Sequence, residues 1–181
     1  MSKALYILAE MDDRDIDWLA TAGRQKMVPS GSILIERKIR PEALYLVLSG
    51  TLSVQVDTPQ GVSEIAKLET GDIVGEMSFI DARLPSATVL AREDSVVWAI
   101  PWTKLSSKLM LDSSFASHFY HAMAVLLSDR VRKLLTQVDV SKLDSLEQPT
   151  EDDFSPEVMN RFDLVRIRFD FLLQRLQETR Y

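Results

Sequence analysis

The 181-residue chain carries 21 Lys and Arg against 27 Asp and Glu, a net charge of −6, which argues against a surface that tracks nucleic acid along its whole length. It has no cysteine, so disulfides, thiolate catalysis and cysteine-ligated zinc are excluded. A hydrophobic share of 46% and a charged share of 27% fit a globular chain with one core and an appendage.

The first thirteen residues, MSKALYILAEMDD, have one lysine and no adequate apolar region, so no signal peptide is expected and a cytoplasmic location is. Residues 3–22 read as helical in one or two pieces. Asp12 or Asp13 caps the second piece, which carries Ile16, Leu19 and Ala20 on one side, and Gly23 is a plausible stop. From Gln25 to Ala99 the texture changes to short β runs: Met27–Val28, Ile33–Ile35, Leu44–Leu48, Leu52–Val56, Ile65–Leu68, Ala87–Leu90 and Val96–Ile100. Turn residues punctuate them, among them Pro29-Ser30-Gly31, Arg40-Pro41-Glu42 and Thr58-Pro59-Gln60-Gly61. Short strands without long helices between them indicate an antiparallel barrel or jelly roll. Leu52, Val54 and Val56 alternate with Ser53, Gln55 and Asp57, the pattern of a strand with one buried face.

Residues 71–91 stand apart. Gly71-Asp72 is a tight turn, and Ile73-Val74 ends an apolar run. Gly75-Glu76 then opens one helical turn over Met77–Ile80. Asp81–Pro85 is loop, because Pro85 biases Leu84 away from helical angles, and Ser86–Ala91 is strand-like. A glycine-led helical turn presents free backbone N–H groups, which suit an anion such as a phosphate.

After Pro101, Trp102–Leu111 forms a short helix. Asp112 or Ser113 caps a long one that runs to about Val138. Tyr120, Ala124, Leu127, Val131, Leu134 and Val138 recur at 4, 3, 4, 3 and 4, a coiled-coil-like seam. A second stripe, Phe115, Phe119, Ala122/Met123 and Leu126, faces elsewhere and covers the barrel. Two stripes give the helix two things to touch, and the reading preferred for the first is the same helix of a second copy. His118 and His121 share a face of this helix, but no carboxylate or third histidine lies nearby in sequence, so no metal site is expected.

Residues 139–155 carry six acids and one lysine around Pro149, the composition of a polar linker. Ser155-Pro156 then starts an amphipathic helix over 156–181. Its apolar residues Val158, Phe162, Val165, Phe169, Leu172 and Leu176 again recur at 4, 3, 4, 3 and 4. Such a helix wants a partner surface: a second copy first, then its own barrel, another protein or an anionic membrane. No apolar run approaches the ~20 residues that span a bilayer.

A barrel with a helical cap, a Gly-Glu-led turn and a long following helix resembles the cyclic nucleotide-binding domain, the family of the catabolite activator protein and of the regulatory subunits of the cyclic-AMP-dependent kinase. The matching residues are Gly31 with Ile33-Leu34-Ile35, the run Leu44–Gly50, the approach Leu68–Met77, and the close Pro85–Val89. The resemblance covers about residues 5–138. It implies an α+β fold: an antiparallel jelly-roll barrel with N-terminal helices, a short cassette helix and a long dimer-type helix. The cyclic nucleotide-binding-like domain is then 1–138, followed by the linker and the terminal helix.

The resemblance also implies a ligand site. Glu76 takes the ribose 2′-hydroxyl and the amides of Gly75, Glu76, Met77 and Ser78 take the cyclic phosphate. The family's phosphate-pairing arginine has its place taken by Ser86, and Lys38 stands where the family has a turn glycine. A guanidinium holds phosphate in a charge-assisted pair and a hydroxyl cannot. Three readings stay open: a cyclic mononucleotide (cAMP or cGMP) held by Ser86, Thr88 and backbone amides; another ligand, including a cyclic dinucleotide, with Arg83 or a cap residue supplying charge; or none, the barrel being a dimerising scaffold. The candidate ligand-binding set is Gly75, Glu76, Met77, Ser78, Arg83, Pro85, Ser86, Ala87 and Thr88. For the base, His118, His121, Ser128, Asp129 and Arg130 are all available on the long helix. The residues after 138 are too few for the family's helix-turn-helix domain, so no DNA partner is expected. Output would then pass through a homodimer and an unidentified protein partner. Asp81 and Glu76 lack an accompanying base or nucleophile, so catalysis is not expected and no cofactor is implied.

Overall fold

The computed structural model describes residues 11–137, 167 and 170–178, with side chains described only to Arg132 in the long helix. Helix α1, Asp13–Ala22, opens on a capping box. The Asp12 carboxylate accepts from the Asp15 amide (2.9 Å) and the Asp15 carboxylate from the Asp12 amide (3.1 Å). Those two bonds satisfy donors that the first turn leaves free, and the Asp15 bond holds the Asp12 carboxyl below the usual carboxylate range. Gly23 ends the helix for a steric reason: a Cβ there would lie 2.3 Å from the Trp98 indole nitrogen and 2.9 Å from the Ala99 carbonyl oxygen.

Eight strands follow: β1 Arg24–Val28, β2 Ile33–Ile35, β3 Ala43–Ser49, β4 Leu52–Thr58, β5 Gly61–Leu68, β6 Ile73–Val74, β7 Thr88–Ala91 and β8 Ser95–Pro101. They form two antiparallel four-stranded sheets, ordered β1-β8-β3-β6 and β2-β7-β4-β5, and this is the jelly-roll α+β fold expected. The expected strands are all present. The additional one, β6, has two residues, paired as Tyr45↔Val74 and Leu46↔Ile73. Strand β5 begins earlier than its apolar residues suggest, because an edge strand exposed over almost its whole length gives little hydrophobic signal. Ser53 departs from its expected wet position. It is buried, donating to Glu64 (2.5 Å) and accepting from Gln55 (3.2 Å).

The helices are α2 Glu76–Asp81, α3 Trp102–Leu111, α4 Ser113–Gln137 and α5, residues 170–178. Asp112 caps α4 by accepting from the Phe115 amide (3.0 Å). The buried stripe of α4 is the one expected, Phe115, Phe119, Ala122, Met123 and Leu126. On the opposite side Tyr120, Ala124 and Val131 are exposed and Leu127 half-buried. Leu134 and Val138 lie outside the described side chains.

Two apolar layers result. The interior, between the sheets, holds Val28, Leu34, Ile35, Val47, Leu52, Leu68, Val74, Val89 and Val97. The outer layer lies on the far side of the β1-β8-β3-β6 sheet, where Leu44, Leu46, Leu48, Ile73, Trp98 and Ile100 meet α1, α3 and α4. Helix α5 joins that outer layer through Leu172 and Leu176, 2% and 1% exposed. Of the amphipathic face that the sequence offered first to a second copy, Leu172 and Leu176 are here spent on the chain's own domain, and Val158, Phe162, Val165 and Phe169 lie outside the described residues. A buried leucine contributes about 1.5–3 kcal/mol, and ordering each residue of the helix costs about 1–2 kcal/mol, so two leucines alone do not hold it. Polar ties add to them. Gln25 Nε2 donates to the carbonyls of Leu176 (2.6 Å) and Gln177 (3.0 Å), Gln177 Nε2 donates to that of Leu48 (3.1 Å), and Arg175 pairs with Asp17. The acidic linker 139–155 and the start of the terminal helix at Pro156 lie outside the described residues.

Candidate ligand-binding cassette

The approach to the cassette is fixed by its turn. Asp72 accepts from the Glu69 amide (2.9 Å), while Gly71 donates to the Val47 carbonyl (2.8 Å) and Val47 to that of Asp72 (2.9 Å). Two residues of β6 then deliver the chain to Gly75, whose φ of 92° is left-handed. A Cβ at that position would also press on the Ala43 carbonyl oxygen at 3.1 Å, so glycine answers both conformation and space. Helix α2 starts at the next residue, with the Phe79 amide donating to the Gly75 carbonyl (3.2 Å). It ends at Asp81, and Ala82 is left-handed at φ 58°.

The candidate residues separate into two groups. Gly75, Glu76, Met77 and Ser78 form the glycine-led turn, with Glu76 and Ser78 buried and Met77 exposed. Pro85, Ser86, Ala87 and Thr88 close the cassette and lead into β7, with Ser86 exposed and the others half-buried. Arg83 joins neither group. Its side chain is 85% exposed and leans on Asp81 at 3.8 Å, in solvent where such a pair is worth little.

The closing segment is instead laced to the loop after β2. Lys38 N donates to the Pro85 carbonyl (3.0 Å), Arg37 N to the Thr88 hydroxyl (3.3 Å), and Arg40 Nη2 to the Ala82 carbonyl (3.3 Å). Lys38 has φ 65°, so it adopts the left-handed conformation that a turn glycine takes more easily. Arg37 is paired with Asp57 (2.5 Å). Sequence reasoning did not anticipate this lacing, because the loop and the closing segment are far apart along the chain.

Glu76 defines the centre of the cassette. It is 2% exposed, and its Oε1 accepts from Nη1 of Arg130 on α4. Nη2 of the same guanidinium donates to the Ile73 carbonyl (2.5 Å). Arg130 therefore ties α4 to both β6 and the first residue of α2. An ionised carboxylate this deep needs a partner, since an unpaired buried charge is strongly destabilising. The sequence left Arg130 as one of five options on the helix. A sharper signal was present: Arg130 lies four residues after buried Leu126, in line with Phe115, Phe119 and Met123. A cation continuing a buried stripe calls for a buried anion. Of the other options, His121 and Ser128 are exposed, and His118 Nδ1 meets Asp15 Oδ2 at 2.6 Å.

That last contact corrects one premise. Asp12, Asp15 and His118 present ligand atoms within 4.8 Å of one another, so the fold supplies the carboxylates missing near the histidine in sequence. Both are already engaged in the capping box of α1.

The comparisons bear on the family and the fold. Residues 25–112, just under half of the chain, match the family described as "Cyclic nucleotide-binding domain". An uncharacterised NTE family protein of Mycobacterium tuberculosis is 31% identical over 121 residues, 67% of this chain and 20% of the relative, so the chain spans about a fifth of that relative's length. A crystal structure of a cyclic nucleotide-binding domain from Methylobacillus flagellatus is 23% identical, with a TM-score of 0.69, covering 80% of this chain and 85% of that one. The catabolite activator protein of Thermus thermophilus is 21% identical with a TM-score of 0.62, covering 96% of this chain and 87% of that one. Family match, fold and cassette thus converge, and the chain carries a cyclic nucleotide-binding domain over residues 25–112.

Proposed function

We propose that the domain is a non-enzymatic sensor of a cyclic nucleotide, acting through protein–protein contacts. The observation that carries this reading is Glu76: a buried carboxylate on a left-handed glycine, at the start of a helical turn, in a chain that matches this family. In the proposed complex the amides of Glu76, Met77 and Ser78 receive the cyclic phosphate and the Glu76 carboxylate accepts from the ribose hydroxyl. Thr88 and Ser86 contribute hydroxyls at the closing segment.

No cation stands between Leu84 and Thr88, and Arg83 leans on Asp81 in solvent. The guanidinium bonded to the Glu76 carboxylate is that of Arg130. Ribose and Arg130 address the same carboxylate, and in the proposed complex the ligand displaces Arg130 or draws it onto the phosphate. In both cases α4 changes its hold on the cassette, and the ligand shifts the equilibrium only by its difference in affinity for the two arrangements.

A second reading has its own observation. Glu76 is already satisfied by Arg130, which would suit a domain that keeps the fold as a ligand-free scaffold. Calorimetry on the full chain with cAMP, cGMP and a cyclic dinucleotide decides between the two. A dissociation constant in the micromolar range or below for one of them, lost in Glu76→Ala, is the sensor result. No heat from any of the three is the scaffold result.

The proposed homodimer uses the exposed face of α4, centred on Tyr120, Leu127 and Val131. Val131→Asp is expected to leave a monomer in sedimentation if that face is the interface. Among the described residues no helix is long and apolar enough to cross a membrane.

A further inference from the structure

Helix α5 shares its seat with the cassette. Leu172 and Leu176 line one small apolar cavity together with Leu46, Ile73, Phe119 and Met123. Two of those residues belong to the cassette's own connections. Ile73 is in β6, one residue short of the Val74-Gly75 step into the cassette, and its carbonyl is the second acceptor of Arg130. Phe119 is in edge contact with Phe79 of α2, with ring centroids 6.0 Å apart. The cassette therefore reaches the seat of α5 by two routes, through β6 and through the Phe79–Phe119 contact.

The link through β6 is the weaker part of the structure. It is two residues long, lies at the edge of its sheet and pairs only with β3, and Arg130 adds a bond from α4 to the Ile73 carbonyl. Helix α5 is held with similar economy, by two fully buried leucines, the Gln25 and Gln177 bonds and one exposed ion pair. Elements with few buried contacts open first and are the ones recruited for conformational change.

Building on the sensor reading, we propose that α5 is the output segment of this domain: it is seated on the outer face while Arg130 holds Glu76 and Ile73, and it is released when Arg130 leaves them. Loss of Arg130 frees the Ile73 carbonyl, Ile73 and Phe119 shift, and the site for Leu172 and Leu176 is no longer formed. Release exposes an apolar helix face of 170–178 and uncovers Leu44, Leu46 and Trp98, which gives the domain a signal without a DNA-binding domain.

The test is amide hydrogen exchange on the full chain, comparing residues 170–178 with strands β3 and β8. Four samples are used without ligand: the parent chain, Glu76→Gln, Arg130→Gln and Arg130→Lys. A fifth is the parent chain with saturating cAMP, cGMP or a cyclic dinucleotide in turn. In Glu76→Gln and Arg130→Gln, exchange over 170–178 is expected to rise about tenfold or more beyond whatever rise β3 and β8 show. Arg130→Lys, which keeps the charge, retains most of the protection. Unchanged exchange over 170–178 in both glutamine variants overturns the proposal, and so does a rise shared equally by β3 and β8, because release is then global unfolding. If the glutamine variants release α5 and none of cAMP, cGMP and a cyclic dinucleotide binds or changes exchange, the output segment stands and the sensor reading fails. If one of them binds and exchange over 170–178 does not rise, the proposal fails and the sensor reading stands.

Discussion

The two apolar layers of this domain are built differently. The interior is made by strands alone, packed face to face, and each member is held by neighbours on paired strands. The outer layer is shared by one sheet and four helices, α1, α3, α4 and α5, and it touches α2 through Phe79. Cores packed to crystal-like density do not deform by small steps, so the interior is suited to be a fixed frame. A layer assembled from separate helices around a small cavity has parts that can leave it. The cassette sits where the two meet: Val74 faces the interior, Ile73 the outer layer, and Glu76 follows directly.

Breaking the interior should therefore destabilise everything and inform on nothing else. Leu52→Ala, at a fully buried site, is expected to lower unfolding stability by about 3–4 kcal/mol, with nucleotide affinity unchanged under conditions where the domain remains folded. Chemical denaturation paired with calorimetry checks both halves. Breaking the junction is expected to cost somewhat less and to do more. Arg130→Gln leaves the Glu76 carboxylate buried without its guanidinium, a loss of about 3 kcal/mol, and it also changes nucleotide affinity. An Arg130→Gln chain with parent-like affinity would show that the cassette does not use this helix.

Smaller effects sharpen the contrast from the outer side. Leu176→Ala removes a side chain as deeply buried as Leu52, yet the measured loss should stop at about 1–2 kcal/mol, because α5 detaches locally before the domain unfolds. A loss equal to that of Leu52→Ala would make α5 an integral part of the core. The smallest effect concerns the start of α4. The Lys108 ammonium (2.7 Å) and the Phe115 amide hold the Asp112 carboxyl below its usual range. A carboxyl depressed in the folded state contributes stability above its unfolded value and loses it as pH falls through the folded one. Below about pH 4, thermal stability of the parent chain should fall more steeply than that of Asp112→Asn, and parallel curves would remove the cap from the account.

The sequence was most legible where one physical pattern acted alone. Alternation and turn punctuation placed the strands, and Asp12, Gly23 and Asp112 marked helix ends through capping and close approach. Pattern failed where an element had too little of it, as with the two residues of β6 and the exposed length of β5. Both stripes of α4 were readable, and the stripe expected to cover the barrel does so. Spacing shows that a face must be covered and does not say by what, so Leu172 and Leu176 were offered first to a second copy and only then to the chain's own barrel. In the cassette, Gly75 and Glu76 were legible from local chemistry. Arg130 was only partly so, because its partner lies 54 residues away. The lacing of Lys38 to Pro85 joins two backbone groups, which leave no trace in side-chain identity, and the Thr88 hydroxyl that accepts from Arg37 N lies 51 residues from it. His118 and Asp15 are 103 residues apart, and that distance hid the carboxylate the sequence reading missed.

The central claim is that one carboxylate, Glu76, serves Arg130 without ligand and the nucleotide with it. Following the Arg130 Nη–H resonances in an arginine-labelled full chain, assigned by their loss in Arg130→Lys, tests this most directly. The account predicts a slowly exchanging, shifted resonance in the ligand-free protein that moves on saturation with whichever of the three nucleotides binds. A resonance that stays in place under saturating ligand would contradict it.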